Sequence, residues 1–326
     1  MNLSEYLFHT SATVTESDAE QLQHSSDWYT VEIQPPVDQE LPATLPRFIY
    51  GILELQNKFL GLGNASPTAA FEIRRHTPSN LRFQISVPTK RLERKVRTHL
   101  TEEIPQVGFQ NGVDGLPITQ GDTIGGGLLT TGRHDIYPLK TSHEQPMMNS
   151  VAAALHRHAM QNTRFVIQIL FQPQAGQPVK NRLWKRKAYK QLSYLRKEKT
   201  EILPWHDRPA TPREKQQADE IEHKAGNPRF KTSIRILLIG ADEYTPSRVK
   251  EVAGAFRNLE SADTGQYLDE WTVKSLIPSK ITEFAEAVNQ RRFKGWSRSF
   301  QTSPQELAAL LTVPDRQQEN ISYSQP

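Results

Sequence analysis

The densest chemistry in the sequence is a run of positive charge interleaved with rings. Lys180, Arg182, Lys185, Arg186, Lys187, Lys190, Arg196, Lys197 and Lys199 fall within twenty residues, opposed only by Glu198, with Trp184, Tyr189 and Tyr194 among them. Cations at this density neutralise phosphates and release their counterions, so the chemistry on offer is contact with nucleic acid or with anionic lipid headgroups. Trp184, Ala188, Leu192 and Leu195 are spaced four, four and three residues apart, which predicts an amphipathic basic helix. A second helix is predicted from Thr211, with Pro212 at its first position and Glu214 completing a capping box. It carries Asp219, Glu220 and Glu222, so the competing use of the basic charges is pairing inside a helical hairpin. A shorter cluster, Arg291, Arg292, Lys294 and Arg298 with Phe293 and Trp296, admits the same two uses.

Catalytic constellations are harder to find. His156 and His158, among ten histidines, stand about 200° apart on a helix and cannot chelate one metal there. Trp205, His206 and Asp207 place one histidine beside one aspartate in a proline-flanked loop, and read as an exposed pair. Glu102, Glu103 and Glu251 read as solvated carboxylates on helix surfaces. No serine occupies a G-x-S-x-G elbow, and the absence of cysteine excludes thiolate catalysis and disulfides. Gly125, Gly126 and Gly127 are followed by Leu128 and Leu129, where a phosphate-binding loop needs lysine and a hydroxyl residue. The expectation is therefore no enzyme, no catalytic residue, no metal site and no cofactor.

The elements that must carry these residues form a pattern that occurs twice. In residues 28–111 a strand at Trp28–Ile33 is followed by a helix through Leu45, Phe48, Ile49, Ile52 and Leu55. Two strands come next, the second alternating Leu81, Phe83, Ile85 and Val87 with polar residues. Thr89 then caps a charged helix with Leu92, Val96 and Leu100 inward, and Val107–Gln110 closes the set. In residues 135–274 the same order is predicted. It runs from a strand at Asp135–Leu139 and a helix through Met148 and Leu155 to strands at Thr163–Gln172 and Phe230–Ile239. A helix capped by Thr245 with Pro246 at its first position follows, then a strand at Gln266–Lys274. The two central strands of the second copy are separated by a helical insertion, residues 174–228. The fold class expected is α+β, with two tandem ferredoxin-like (split βαβ) units. Each has an antiparallel sheet covered by helices on one side.

Around these units residues 1–27 read as a flexible N-terminal tail, 112–134 as a glycine-rich linker, and 275–326 as C-terminal helices and tail. The 326 residues carry a net charge of +4, too little by itself to name a partner. No apolar run is long enough to span a bilayer and the N-terminus lacks signal-peptide character, so a cytoplasmic protein is expected.

Ser303-Pro304-Gln305-Glu306-Leu307-Ala308-Ala309-Leu310-Leu311-Thr312-Val313-Pro314 is a capped short helix. It resembles the S-x-x-E-L-A-x-L-x-x-x-P hinge before the motor of conjugative type IV secretion ATPases of the HerA/FtsK-like class. Tyr29–Leu55, Phe83–Pro105, Phe165–Pro173 and Ile234–Leu259, the last containing Ala253-Gly254-Ala255-Phe256, resemble the N-terminal, non-motor domain of the same family. The resemblance implies a docking or assembly part of a mobile-element DNA-transfer machine. Its implied partners are a P-loop motor ATPase, membrane secretion-channel proteins and further copies of itself. It implies no small-molecule substrate, and places the protein in the cytoplasm or against the inner face of the cell membrane. The Walker A lysine and the magnesium-binding acidic strand do not occur before Pro326, so ATP hydrolysis is not implied, and the expectation is a motor that is encoded separately, split off or lost. The competing expectation is a free-standing nucleic-acid-binding protein that uses the basic helix at 180–199.

Overall fold

The computed structural model describes residues 8–25, 28–37, 39–58, 62–156, 162–198, 208–295, 297–315 and 319–324. In chain order the first elements are β1 (Ser11–Thr13), α1 (Glu16–Gln23), β2 (Tyr29–Gln34), α2 (Pro46–Ile52), β3 (Asn57–Lys58) and β4 (Gly63–Asn64). Next come β5 (Ala69–Thr77), β6 (Asn80–Val87), α3 (Lys90–Glu103), β7 (Gly108–Asn111), β8 (Thr123–Thr131), α4 (Met148–Leu155) and β9 (Arg164–Pro173). The chain continues through α5 (Pro178–Arg196), α6 (Pro212–Gly226), β10 (Phe230–Ile239), α7 (Thr245–Gly254), β11 (Leu268–Thr272), α8 (Ser279–Asn289), β12 (Phe300–Thr302) and α9 (Pro304–Leu310).

Apart from the small β3–β4 hairpin, the strands form one large antiparallel sheet. Residues 29–111 contribute strands in the order β7-β2-β6-β5, and residues 123–272 in the order β11-β8-β10-β9. In both stretches the first strand along the chain lies between the third and the fourth, and the second flanks the third. The two stretches join edge to edge through β5 and β9, from Ala69 opposite Phe171 to Arg75 opposite Phe165.

One face of the sheet is apolar throughout. Phe71, Ile73, Phe83, Ile85, Phe165, Ile167, Ile169, Ile234, Ile236 and Leu238 alternate inward, and helices α2, α3, α4, α7 and α9 cover them in a single core. The other face is divided. Over the second stretch Ile124, Leu128, Val166, Leu237 and Ile239 lie beneath Leu22 of α1 and Ile281, Phe284 and Val288 of α8. Across the seam the same face is polar. Glu32, Gln84, Glu72, Gln168 and Arg235 stand directly opposite one another on five neighbouring strands, and all are buried.

Several expectations are corrected here. The second stretch opens with β8, inside the presumed 112–134 linker, whereas Asp135–Leu139 is turn and loop. Glycine forms this strand because helices press on both of its faces. A Cβ on Gly127 would sit 2.4 Å from Val249 of α7, and one on Gly126 would sit 2.2 Å from the Ile236 carbonyl and 2.7 Å from Phe284 of α8. Residues 8–25 are not a loose tail, because β1 pairs with β8 and α1 carries a Thr15/Asp18 capping box and buries Ala19 and Leu22. Helices cover both faces of the second stretch, not one, because α1 and α8 come from segments outside the repeated pattern. Thr89, Thr211 and Ser303 cap their helices as expected, but Thr245 is the first residue of α7 and hydrogen-bonds the Asp242 carbonyl in place of capping it, and Leu55 lies beyond the end of α2 and is exposed.

Candidate nucleic-acid interface

Helix α5 leaves the end of β9 through Gly176 and Gln177, both at positive φ, with Pro178 in its first turn. Its inner stripe is Trp184, Ala188, Leu192 and Leu195, which packs on Ala218, Ile221 and Ala225 of α6 and on Ile136 and Tyr137. The segment expected as a strand is thus the floor of the helical hairpin. Trp184 is buried, so it is an anchor and not a contact residue. Its Nε1 donates to Asp135 Oδ1 at 2.8 Å, and the Arg229 guanidinium lies 3.9 Å from its ring centre. Asp135 also accepts the Gln301 amide at 2.9 Å. Burial pushes the Asp135 carboxyl up, but the bonds from His134, Trp184 and Gln301 and the nearby Lys224 charge outweigh it and hold it low.

A second lock sits under α6. Lys224 Nζ pairs with Glu306 Oε1 of α9 at 2.9 Å, each side chain only 1% exposed. Glu306 accepts the Leu139 and Ser303 amides as well. The capping box that looked purely local in sequence therefore fixes the hairpin to the C-terminal helix. A buried pair of this kind costs desolvation unless its remaining lone pairs are satisfied, and here the two amides satisfy them.

The outer face of α5 is cationic. Lys180, Arg182, Arg186, Lys187, Lys190 and Lys197 are exposed and Lys185 is half-buried, and none of the seven has an ion pair among the described residues. Arg196 alone turns to the acidic helix, 2.6 Å from Asp219 and 2.7 Å from Glu222. Tyr189 is exposed beside them. Val179 and Leu183, 70% and 53% exposed, join this face with Tyr194. In the sequence the inward stripe hides Val179 and Leu183, yet 179, 183, 190, 194 and 197 follow the same helical spacing half a turn away.

The shorter cluster has another fate. Arg291, at φ 51° just past α8, is fully buried and donates from Nε and Nη2 to both carboxylate oxygens of Glu72, at 2.8 and 3.2 Å. Glu72 also takes Arg74 at 2.8 Å and hydrogen bonds from Gln84 and Gln168, and Arg235 bonds Gln168 and the Arg292 carbonyl. Burial pushes the Glu72 carboxyl up, but Arg291 and Arg74 overcome this and hold it at about 2. Arg291 is therefore a structural keystone and not a surface contact. Arg292 and Lys294 are exposed, and Arg298 stacks 3.6 Å from the centre of the Trp271 ring. The sequence does not pair Glu72 with any partner, and its one signal is a lone carboxylate inside Ala69-Ala70-Phe71-Glu72-Ile73.

The catalytic candidates remain apart. Glu103 is not simply solvated but accepts the Phe48 amide at 2.7 Å and so caps α2, while Glu102 is exposed and Glu251 pairs with Arg248. His158, Lys199, Trp296 and Trp205–Asp207 lie outside the described residues. An open groove of about 1240 Å³ runs past His143, Glu144, Arg257 and Glu260, but His143 hydrogen-bonds the Lys140 carbonyl and neither carboxylate. Among the described residues no cluster of His, Asp or Glu suits a metal ion, and no helix is long and apolar enough to cross a membrane.

Fold and site define an α+β domain, built on a large antiparallel sheet, that presents an anchored basic helical hairpin. The chain belongs to a family described as a domain of unknown function, DUF8128, whose model matches residues 4–326. No curated protein matches the chain.

Proposed function

We propose that this chain is a docking and assembly domain of a DNA-transfer machine that grips nucleic-acid phosphates with helix α5. The observation that carries this reading is that seven cations, six on α5 and Lys197 just past its end, have no ion pair among the described residues, on a hairpin whose base is locked by Trp184–Asp135 and Lys224–Glu306. A solvated helix that merely balanced its own charge would pair them with α6, and only Arg196 does so. In the same reading the strand orders β7-β2-β6-β5 and β11-β8-β10-β9 are two ferredoxin-like units fused at the β5–β9 seam. The resemblance of Ser303–Pro314 to a hinge supports a P-loop ATPase as partner on that side, with secretion-channel proteins at the membrane. The Lys224–Glu306 lock would transmit the position of α9 to the DNA-binding hairpin.

The test is anisotropy of a labelled DNA duplex with the full chain across a salt series. The wild type should bind, with affinity falling steeply with salt. Replacing Arg186, Lys187 and Lys190 together by Gln should weaken binding by about tenfold or more and flatten the log–log salt slope by about three. Unchanged binding by the triple variant, or binding to phosphatidylserine vesicles and not to DNA, would overturn the proposal.

A further inference from the structure

The polar half of the second sheet face ends in a cleft that the hairpin reading does not use. It has a volume of about 600 Å³ and opens where β2, β5, β6, β9 and β10 end together. Trp28, Gln172, Lys231, Arg291, Arg292 and Phe293 are among its lining residues. The described lining contains three cations and no carboxylate. Behind it, among the described residues, Arg74, Arg235 and Arg291 are faced by Glu72 and, at 3.7 Å from Arg291, the half-exposed Asp114, while Glu32 at the far end of the polar row pairs with Arg82. Arg235 is fully buried and its Nε has no partner, so the wall is short of negative charge.

Lys231 illustrates that shortage. It stands half-buried 4.3 Å from the centre of the Phe293 ring, with no ion pair among the described residues. Burial, and then the positive charge of Lys180 at the start of α5, push its ammonium down. An anion beside the ammonium would favour its charged form and so offset both effects. Trp28, itself 5.4 Å from the Arg291 guanidinium, supplies a second ring. The volume lies in the range of small-ligand sites, and cations beside aromatic rings are the combination that holds a phosphate and a planar base together.

We propose that this cleft binds one nucleotide, its phosphate between Lys231 and Arg292 and its base against the rings of Trp28 and Phe293. The nucleotide comes either as a free mononucleotide or as one link of a single strand. Only the single-strand source rests on the nucleic-acid reading of α5.

The experiment titrates the full chain with thymidine monophosphate and with inorganic phosphate by calorimetry, and with a labelled oligothymidine by anisotropy. The variants are Lys231→Gln with Arg292→Gln, and separately Phe293→Ala. Both cations lie at the surface or half-buried, and Phe293 is partly exposed, so each variant should fold. Thymidine monophosphate should bind about tenfold tighter than phosphate. The double variant should lose both ligands, and Phe293→Ala should lose only the preference for the nucleotide. A tenfold loss of oligothymidine affinity in the double variant assigns a strand, whereas an unchanged value with lost monophosphate binding assigns a free nucleotide. Monophosphate binding that is absent, or equal in wild type and double variant, overturns the proposal. The α5 triple variant keeps the two ideas separable, since it should retain monophosphate binding while losing the duplex.

Discussion

Helix α5 and the loop after α8 are built from the same residues, arginines and lysines set beside a tryptophan or phenylalanine. Arg186 lies in solvent on the outside of a hairpin, whereas Arg291 is enclosed by the sheet and held by Glu72. The tryptophan of α5 is a buried peg bonded to Asp135. In the second cluster it is the leading arginine that is buried. The difference shows that a basic cluster has no fixed meaning. What decides it is whether the sheet supplies a carboxylate in reach, and here Glu72 sits in the middle of a polar row with two glutamines and Arg235.

Of the two arginines, Arg291 is the more sensitive to replacement. Arg291→Met should destabilise the fold by about 3 to 5 kcal/mol, because it leaves Glu72 buried with less compensation. Arg186→Met should cost under about 0.5 kcal/mol. Urea midpoints that move equally in the two variants would erase the distinction.

Acid should act on the same network. The folded-state Glu72 carboxyl, near 2, lies below its ordinary 4.5, so its contribution is present above about pH 4.5 and is lost as pH falls toward 2. The loss is on the order of 3 kcal/mol. Stability curves should bend downward in that window for the wild type and much less for Arg291→Met, whereas parallel curves would count against a charged Glu72.

The hairpin lock should be weaker than the keystone. Lys224→Met leaves Glu306 with the Leu139 and Ser303 amides, so a loss of about 2 kcal/mol is expected. Amide exchange should rise in both α6 and α9. Faster exchange in α6 alone would mean that the hairpin and the C-terminal helix are not coupled through this pair.

Much of the fold was legible from periodicity. The alternation of Leu81, Phe83, Ile85 and Val87, the stripe of Trp184, Ala188, Leu192 and Leu195, and the boxes at Thr211 and Ser303 all depend on neighbours close in sequence. The failures share a cause. Gly125–Gly127 reads as a linker because nothing local reveals the helices on either side that require glycine. Residues 11–23 read as a tail because their partners, β8 and α8, come a hundred or more residues later. Asp135 and Ile136 alternate like strand residues, but their partners are Trp184 and the hairpin.

Local sequence sets most of the helices and strands, where most helices begin, and that α5 has a basic side and an apolar side. These follow from steric propensity, capping and the period of apolar residues, all fixed within a few positions. Long-range pairing sets the rest: the two repeated stretches share one sheet, Glu72 and Arg291, more than two hundred residues apart, form its polar centre, and Lys231 and Arg292 line one cleft. The physical reason is that a charge takes its role from its surroundings. Burial, an opposed carboxylate or open water sets whether an arginine stabilises a core or stays in solvent, and those surroundings exist only once distant strands have paired.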